Sequence, residues 1–191
     1  MGCMPTPNLS GLLRIEDFDV EDSPYRECEL WRGVAQVREP SGGGAGVVAT
    51  RIATLLTRTA GVEEKGWVTS GETGFLLARD PDLMLAADAA FTSKARLPQV
   101  PAQGFWPLAP DFCAEVRSPA DTWRSVLAKC GVWIGAGVRV VWAVNPRSRE
   151  VVVFRPGEPE RVARGSERID AAPVLPEFVV EVAALYRGIY P

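Results

Sequence analysis

The feature that most constrains this chain of 191 residues is a strand, a turn and a helix within residues 111–129. Its first part, Phe-Cys-Ala-Glu-Val at 112–116, is a short apolar run typical of a buried strand. Pro119 should end that strand, because proline donates no hydrogen bond to a sheet. Asp121 can then cap a helix. The apolar side chains of that helix recur every three or four residues and are Trp123, Val126, Leu127, Cys130 and Ile134.

One carboxylate and one lysine in this segment suggest chemistry. Glu115 lies inside the apolar strand, where an ionised carboxylate is costly unless a metal ion or another cation pairs with it. Lys129 lies at the edge of the apolar helix face and can point back at the strand. Such a pair is typical of a metal-dependent site that cleaves phosphodiesters. The residues alone leave two alternatives open: Glu115 in a structural ion pair, and Lys129 as a surface lysine.

Composition excludes several kinds of catalytic site. The sequence contains no histidine, which excludes Ser-His and Cys-His nucleophile systems and histidine-ligated zinc hydrolases. The four cysteines, at positions 3, 28, 113 and 130, show no Cys-x-x-Cys spacing. A structural zinc site is therefore not expected. The cysteine usage fits a reducing cytoplasmic location. Acid–base or metal chemistry must use carboxylates, lysine, arginine or tyrosine.

Size and charge indicate an ordinary globular chain. With 47% hydrophobic and 24% charged residues, it is typical of a single domain. We predict a frayed start to an N-terminal extension over residues 1–24, followed by one domain over 25–191. No apolar run approaches the roughly 20 residues that a membrane helix needs, so no membrane partner is expected. The net charge of -3 counts mildly against tight nonspecific binding of DNA.

The remaining pattern predicts alternating strands and helices. The glycine-rich loop at 40–44 is not a phosphate-binding loop, because no Lys-Ser/Thr pair follows it. Asp88 lies inside a predicted strand, as Glu115 does in its own. The other predicted elements are a β-hairpin at 28–37, a helix within 41–58, strands at 67–70, 75–78 and 84–91, a hairpin at 139–154 and a closing helix at 179–185.

Six segments occur in an order that is typical of one protein family. They are Glu-Leu-Trp-Arg-Gly at 29–33, the glycine-rich start of a helix at 41–58, Gly-Glu-Thr-Gly-Phe at 71–75, Asp-Ala-Ala-Phe at 88–91, the strand and helix at 111–129, and Val-Trp-Ala-Val-Asn-Pro at 141–146. Together they resemble the Uma2 restriction endonuclease family of the PD-(D/E)XK nuclease superfamily, over roughly residues 25–186. The resemblance implies an α/β fold with a restriction-endonuclease-like core: a mixed central β-sheet flanked by helices, with an N-terminal β-hairpin region.

The resemblance also implies a site that hydrolyses phosphodiester bonds, most simply in DNA. Asp88 and Glu115 are the implied metal ligands, with Mg²⁺ as the expected cation and Mn²⁺ as a substitute. Magnesium prefers oxygen ligands and keeps several waters, so two carboxylates can hold it. Lys129 is implied to position or activate the attacking water. Glu29 is implied to lie near the site, where it could bind a second metal or orient a water.

Four positions matter where this chain departs from the family pattern. Arg117 stands where the wider superfamily has a lysine, and arginine is a poor base because it stays protonated. That role therefore falls to Lys129. Ala87, Val34 and Ala45 stand where the family often has proline, glutamate and histidine. These differences keep open a non-catalytic nucleic-acid-binding or assembly module with a relict site.

The residues leave further alternatives open. Asp88 could be an exposed residue of an edge strand, and Glu29 a solvated strand glutamate. A purely structural interaction protein would place Asp88 and Glu115 far apart, so the proximity of these carboxylates separates that alternative from a nuclease. A homodimer would supply the two sites that cleavage of both strands of a duplex needs, and symmetric dimers are the commonest oligomers.

Overall fold

The fold is described from a computed structural model over residues 11–20, 22–59, 61–71, 73–101 and 103–189. The frayed segment predicted at 1–10 lies outside these ranges. The helices are α1 (Gly43–Thr57), α2 (Val62–Lys65), α3 (Trp123–Gly135) and α4 (Val182–Tyr186). The strands are β1 (Cys28–Trp31), β2 (Val34–Val37), β3 (Gly66–Ser70), β4 (Gly74–Ala78), β5 (Leu83–Ala86), β6 (Ala89–Ser93), β7 (Phe112–Val116), β8 (Val140–Asn145), β9 (Glu150–Phe154), β10 (Arg161–Arg164), β11 (Arg168–Ala171) and β12 (Leu175–Glu181).

A six-stranded mixed sheet in the order β10-β9-β8-β7-β6-β3 forms the centre of the molecule. Only β7 and β8 run parallel among its neighbouring strands, and α3 connects them. The predicted fold class is confirmed, since this sheet is mixed and has helices on both faces. Residues of β7 alternate between the two faces, as the pleat requires. Ala114 packs with α1 on one face, whereas Cys113 packs with α3 on the other.

A four-stranded antiparallel sheet, β2-β1-β5-β4, lies beside the central one and contains the predicted N-terminal hairpin. Arg32 and Gly33 form its two-residue turn with φ of 49° and 82°. Positive φ at both positions matches the twist of a tight hairpin, and glycine adopts it without steric cost. This hairpin brings Glu29 against β5. Ile15 and Phe18, from the predicted extension, are buried against the same sheet.

One predicted strand proved to be two. The apolar run at 84–91 was expected to form a single strand carrying Asp88, but β5 belongs to the four-stranded sheet and β6 to the central sheet. The chain passes from one sheet to the other at Ala87 and Asp88. Both strands are buried, so the apolar pattern continues across the junction and conceals it. Asp88 therefore lies between strands rather than within one.

Two other predictions about helix ends were wrong. Thr122, not Asp121, caps α3: its Oγ1 accepts a hydrogen bond from the Ser125 amide at 3.0 Å. Asp121 instead closes the preceding turn, accepting from the amide and hydroxyl of Ser118 at 3.0 and 2.6 Å. The closing helix begins at Val182, because residues 179–181 belong to β12 and pair with β11. None of the helices in the described ranges is long and apolar enough to cross a membrane.

Candidate active site

The structure brings all four predicted site residues to one pocket. The pocket has a volume of about 370 Å³ and lies at the carboxyl end of β7. Glu29 reaches it from β1, Asp88 from the junction between β5 and β6, Glu115 from β7 and Lys129 from α3. Four segments that are distant in sequence therefore supply three carboxylates and one ammonium. Their roles remain predictions, whereas their proximity is a property of the fold.

Lys129 lies at the centre of this group. Its Nζ is 2.8 Å from Glu29 Oε1 and 3.0 Å from Glu115 Oε1, and it donates a hydrogen bond to the Ala86 carbonyl at 3.0 Å. The Lys129 side chain is only 17% exposed, and the two glutamates are 10% and 8% exposed. Lys129 is therefore not a surface lysine, and Glu29 is not a solvated strand glutamate.

Each glutamate is also held by an indole. Trp133 Nε1 donates to Glu115 Oε1 at 2.6 Å, and Trp31 Nε1 donates to Glu29 Oε2 at 3.1 Å. Sequence reasoning did not assign either tryptophan to the site. A signal was present for both, because Trp31 follows Glu29 by two residues on a strand and Trp133 follows Lys129 by one helical turn. These bonds fix the carboxylate planes.

Asp88 is tied to the end of β7. Its Oδ2 accepts a hydrogen bond from the Val116 amide at 2.6 Å, so the sheet junction is anchored beside Glu115. Asp88 is half-buried and lines the same pocket as Glu115. It is thus not an exposed residue of an edge strand. A purely structural protein would place these two carboxylates far apart, so their common pocket argues against that alternative.

Arg117, at the superfamily's lysine position, is directed elsewhere. Its Nε donates to the Asp121 carbonyl at 3.2 Å, within the turn that precedes α3. The pocket is lined by Lys129 and not by Arg117. Among the cations of the described residues, Lys129 is the one that contacts Glu115.

Burial and charge shift the pKa values in this pocket strongly. Burial raises the pKa of Glu115 to about 8; Lys129 opposes that shift, whereas the negative charges of Asp88 and Glu29 add to it. Burial also raises the pKa of Asp88, against the hydrogen bond from the Val116 amide. Burial alone would lower the pKa of Lys129, but Glu115 and Glu29 outweigh it and raise that pKa. One ammonium thus faces three carboxyl groups, and the Arg38 guanidinium supplies a second positive charge that acts on Asp88.

The available ligands suit a hard cation that keeps part of its hydration shell. Within the described ranges, no three or more His, Cys, Asp or Glu side chains are arranged to hold a metal ion. Asp88 and Glu115 offer carboxylate oxygens only. Magnesium is commonly held by one or two carboxylates, with water and substrate oxygens completing its shell, so the pair fits Mg²⁺.

Replacing Trp133 by phenylalanine should raise the pKa of Glu115 further, by roughly one unit. A hydrogen bond to a charged group contributes about 1.5–3 kcal/mol, and one pKa unit corresponds to about 1.4 kcal/mol. The carboxyl ¹³C chemical shift of Glu115, identified by its loss in Glu115→Gln, would report this pKa. Trp142→Phe is the matched control, because its Nε1 bonds the Asp170 carbonyl outside the pocket. An unchanged Glu115 pKa in Trp133→Phe would contradict the expected effect of this hydrogen bond.

The fold and the pocket define a restriction-endonuclease-like α/β protein with a buried carboxylate–lysine site. The sequence model of the Uma2 family, described as "Putative restriction endonuclease", matches residues 13–183. The chain belongs to the Uma2 family, which confirms the resemblance seen in its motifs. This membership places it among nuclease-type proteins.

A solved structure has the same fold. It is the crystal structure of a putative nuclease belonging to DUF820 from Anabaena variabilis ATCC 29413, with a TM-score of 0.73 and 16% sequence identity. The similarity covers 83% of this chain and 89% of that one. At this identity the similarity shows the shared fold alone. Among curated proteins, no match was found.

Proposed function

We propose that this protein is a metal-dependent endonuclease that hydrolyses phosphodiester bonds in DNA. The observation that carries the proposal is the convergence of Asp88, Glu115 and the Lys129 ammonium in one pocket. Membership of the Uma2 family supports the nuclease class. The metal, the DNA substrate and the role of each residue belong to the proposal.

Asp88 and Glu115 are the residues that would hold Mg²⁺, with Mn²⁺ as a substitute. A divalent cation held there would offset the charge of the phosphate and lower the pKa of the attacking water. The two carboxylates come from a sheet junction and a central strand, and the Val116 amide bonds Asp88 Oδ2. These rigid supports would keep the distance between the two carboxylates constant while a substrate enters and leaves.

Lys129 would position the reacting groups rather than abstract a proton. Its raised pKa keeps the side chain as an ammonium at neutral pH. An ammonium can orient a water or a phosphate oxygen and stabilise negative charge that develops in the transition state. Glu29 would act on the other side of Lys129 and hold its Nζ in place. Glu29 is therefore a positioning residue in this scheme.

Calorimetric titration should show that wild-type protein binds Mg²⁺ or Mn²⁺, and that Asp88→Asn weakens this binding by roughly tenfold or more. The reason is that the neutral amide supplies a weaker oxygen ligand and leaves only Glu115 as a carboxylate ligand. Glu150→Gln is a matched control, since Glu150 is a buried glutamate that pairs with Arg164 and does not line the pocket. Nicking of supercoiled plasmid, with and without the cation, tests cleavage in parallel. The proposal is contradicted if wild-type protein neither binds the cations nor nicks DNA.

The second candidate is a non-catalytic nucleic-acid-binding or assembly module with a relict site. Glu115 favours it, because both of its oxygens already contact Lys129 and one accepts from Trp133. The differences at Ala87, Val34 and Ala45 point the same way. Such a module would bind DNA without binding Mg²⁺ or Mn²⁺, so the same titration separates the two candidates. A homodimer and a cytoplasmic location remain predictions under either function.

A further inference from the structure

Two grooves run along the exposed side of α1, beside the carboxylate pocket. The inner groove, of about 500 Å³, shares Arg38, Ser41 and Asp88 with that pocket, so the two are continuous. The outer groove, of about 710 Å³, lies between α1 and α4 and ends at Arg187. Both grooves share a line of residues four apart, which we call the α1 ridge. It consists of Gly46, Thr50, Thr54 and Arg58.

The α1 ridge is fixed relative to the pocket. A Cβ atom at Gly42 would come within 2.6 Å of Pro119 Cγ, so the start of α1 packs closely on the turn after β7. The buried face of α1, including Val48 and Ile52, packs on the same side of the central sheet as Ala114. A substrate that lies along α1 would therefore meet the carboxylate pocket at a constant position.

This surface is basic within an acidic protein. Residues 40–62 contain no Asp or Glu, although the chain carries a net charge of -3. The outer groove is lined by Arg51, Arg58 and Arg187 and by no acidic residue. Arg58 and Arg187 are exposed, and within the described ranges neither forms a side-chain hydrogen bond or an ion pair. Their charges are therefore available to a polyanion.

The dimensions match duplex DNA. From Gly46 to Arg58 a helix advances by about 18 Å, at 1.5 Å per residue. That length is about half of the 34–36 Å helical turn of B-DNA. A helix is about 10–12 Å across, and the major groove of B-DNA is about 12 Å wide. The inner groove contains Arg38 and Arg58 beside Asp88, and the outer groove contains arginines and no acidic residue. Two arginine-lined grooves on either side of one helix suit the two phosphate chains that border a major groove, whereas a single strand would occupy one.

We propose that the α1 ridge docks in the major groove of duplex DNA, with one phosphate chain in each flanking groove. The phosphate chain of the DNA in the inner groove leads past Asp88 into the carboxylate pocket. Arg58 and Arg187 contact phosphates outside the cleaved bond. The inference rests on the proposed nuclease function and adds to it the surface that orients the substrate. The small side chains of Gly46, Thr50 and Thr54 allow this close approach.

The test is the affinity for a fluorescent duplex of about 20 base pairs and for one of its strands alone, measured by anisotropy in EDTA so that no cleavage occurs. Arg187→Glu should weaken duplex binding roughly tenfold and lower the salt dependence by about one counterion. It should leave single-strand binding within about twofold, because a strand that leads to the pocket occupies the inner groove and Arg187 lines only the outer one. Arg58→Glu should weaken both, because Arg58 lines both grooves.

Arg139→Glu is the matched charge reversal. Arg139 is exposed and adjoins Asp111, at the opposite end of β7 from the pocket. Duplex binding that is unchanged in Arg187→Glu, or weakened equally in Arg139→Glu, would overturn the docking proposal. Thermal melting of each variant checks that the fold is intact. Metal-dependent hydrolysis of bis(4-nitrophenyl) phosphate by wild-type protein tests the nuclease proposal separately, because this ester is too small to span the grooves.

Discussion

Lys129→Ala should lower metal-dependent cleavage of DNA by roughly 10²–10³-fold. The loss of one group that stabilises charge in the transition state typically has an effect of this size. The measurement is the initial rate of plasmid nicking under saturating Mg²⁺. Lys94→Ala is the control, because Lys94 is an exposed lysine that follows β6, outside the pocket. Cleavage by Lys129→Ala within about tenfold of wild type would remove Lys129 from the proposed site.

The same substitution should also lower stability, and a second variant tests the electrostatic cause of that loss. Without Lys129, Glu29 and Glu115 remain buried with no ammonium between them, and breaking a buried pair costs about 3–5 kcal/mol. Protonation of Glu115 reduces that cost, because the neutral carboxyl is less unfavourable to bury. Lys129→Ala with Glu115→Gln should recover most of the stability in urea unfolding and remain inactive. Recovery of both stability and cleavage in this double variant would contradict a catalytic role.

The free energy of unfolding should fall as pH rises from about 5 to about 8.5. Burial raises the pKa of Glu115 from 4.5 to about 8, so above pH 4.5 the folded state binds a proton that the unfolded state releases. This contribution is fully present below pH 4.5 and is lost as pH rises through about 8. At about 1.4 kcal/mol per pKa unit, the loss is on the order of 4 kcal/mol. Urea unfolding across this pH range measures it.

Glu115→Gln should remove most of this pH dependence, with the raised pKa of Asp88 contributing the remainder, and Glu150→Gln should leave it unchanged. Burial raises the pKa of Glu150, but hydrogen bonds from Arg164 and Ser148 outweigh it and the net pKa is lowered. The Glu150 contribution is therefore present above its ordinary pKa and is lost only in more acidic solution. The raised pKa of Lys129 matters only above its ordinary pKa of 10.5. Parallel stability curves for wild type and Glu115→Gln would show that Glu115 does not titrate as expected.

Local patterns predicted well those elements whose signals lie within a few residues. The strand at 112–116 and the helix that follows appeared where periodicity placed them, and so did the hairpin around Arg32 and Gly33. The run at 84–91 was wrongly predicted as one strand, because periodicity indicates burial and does not show which sheet a strand joins. Val179 and Val180 were assigned to a helix although β-branched residues favour strands, and they pair with β11.

By itself the sequence determined which residue types are available for chemistry. It has no histidine, it buries Glu115 in an apolar strand, and it places Lys129 on the following helix. Only the tertiary structure decided which groups meet there: Glu29 contacts Lys129 although one hundred residues separate them, and two indoles hold the glutamates. The physical reason is that periodicity shows which residues are buried. Which distant residues come into contact depends on how the strands pair and how the helices pack on them.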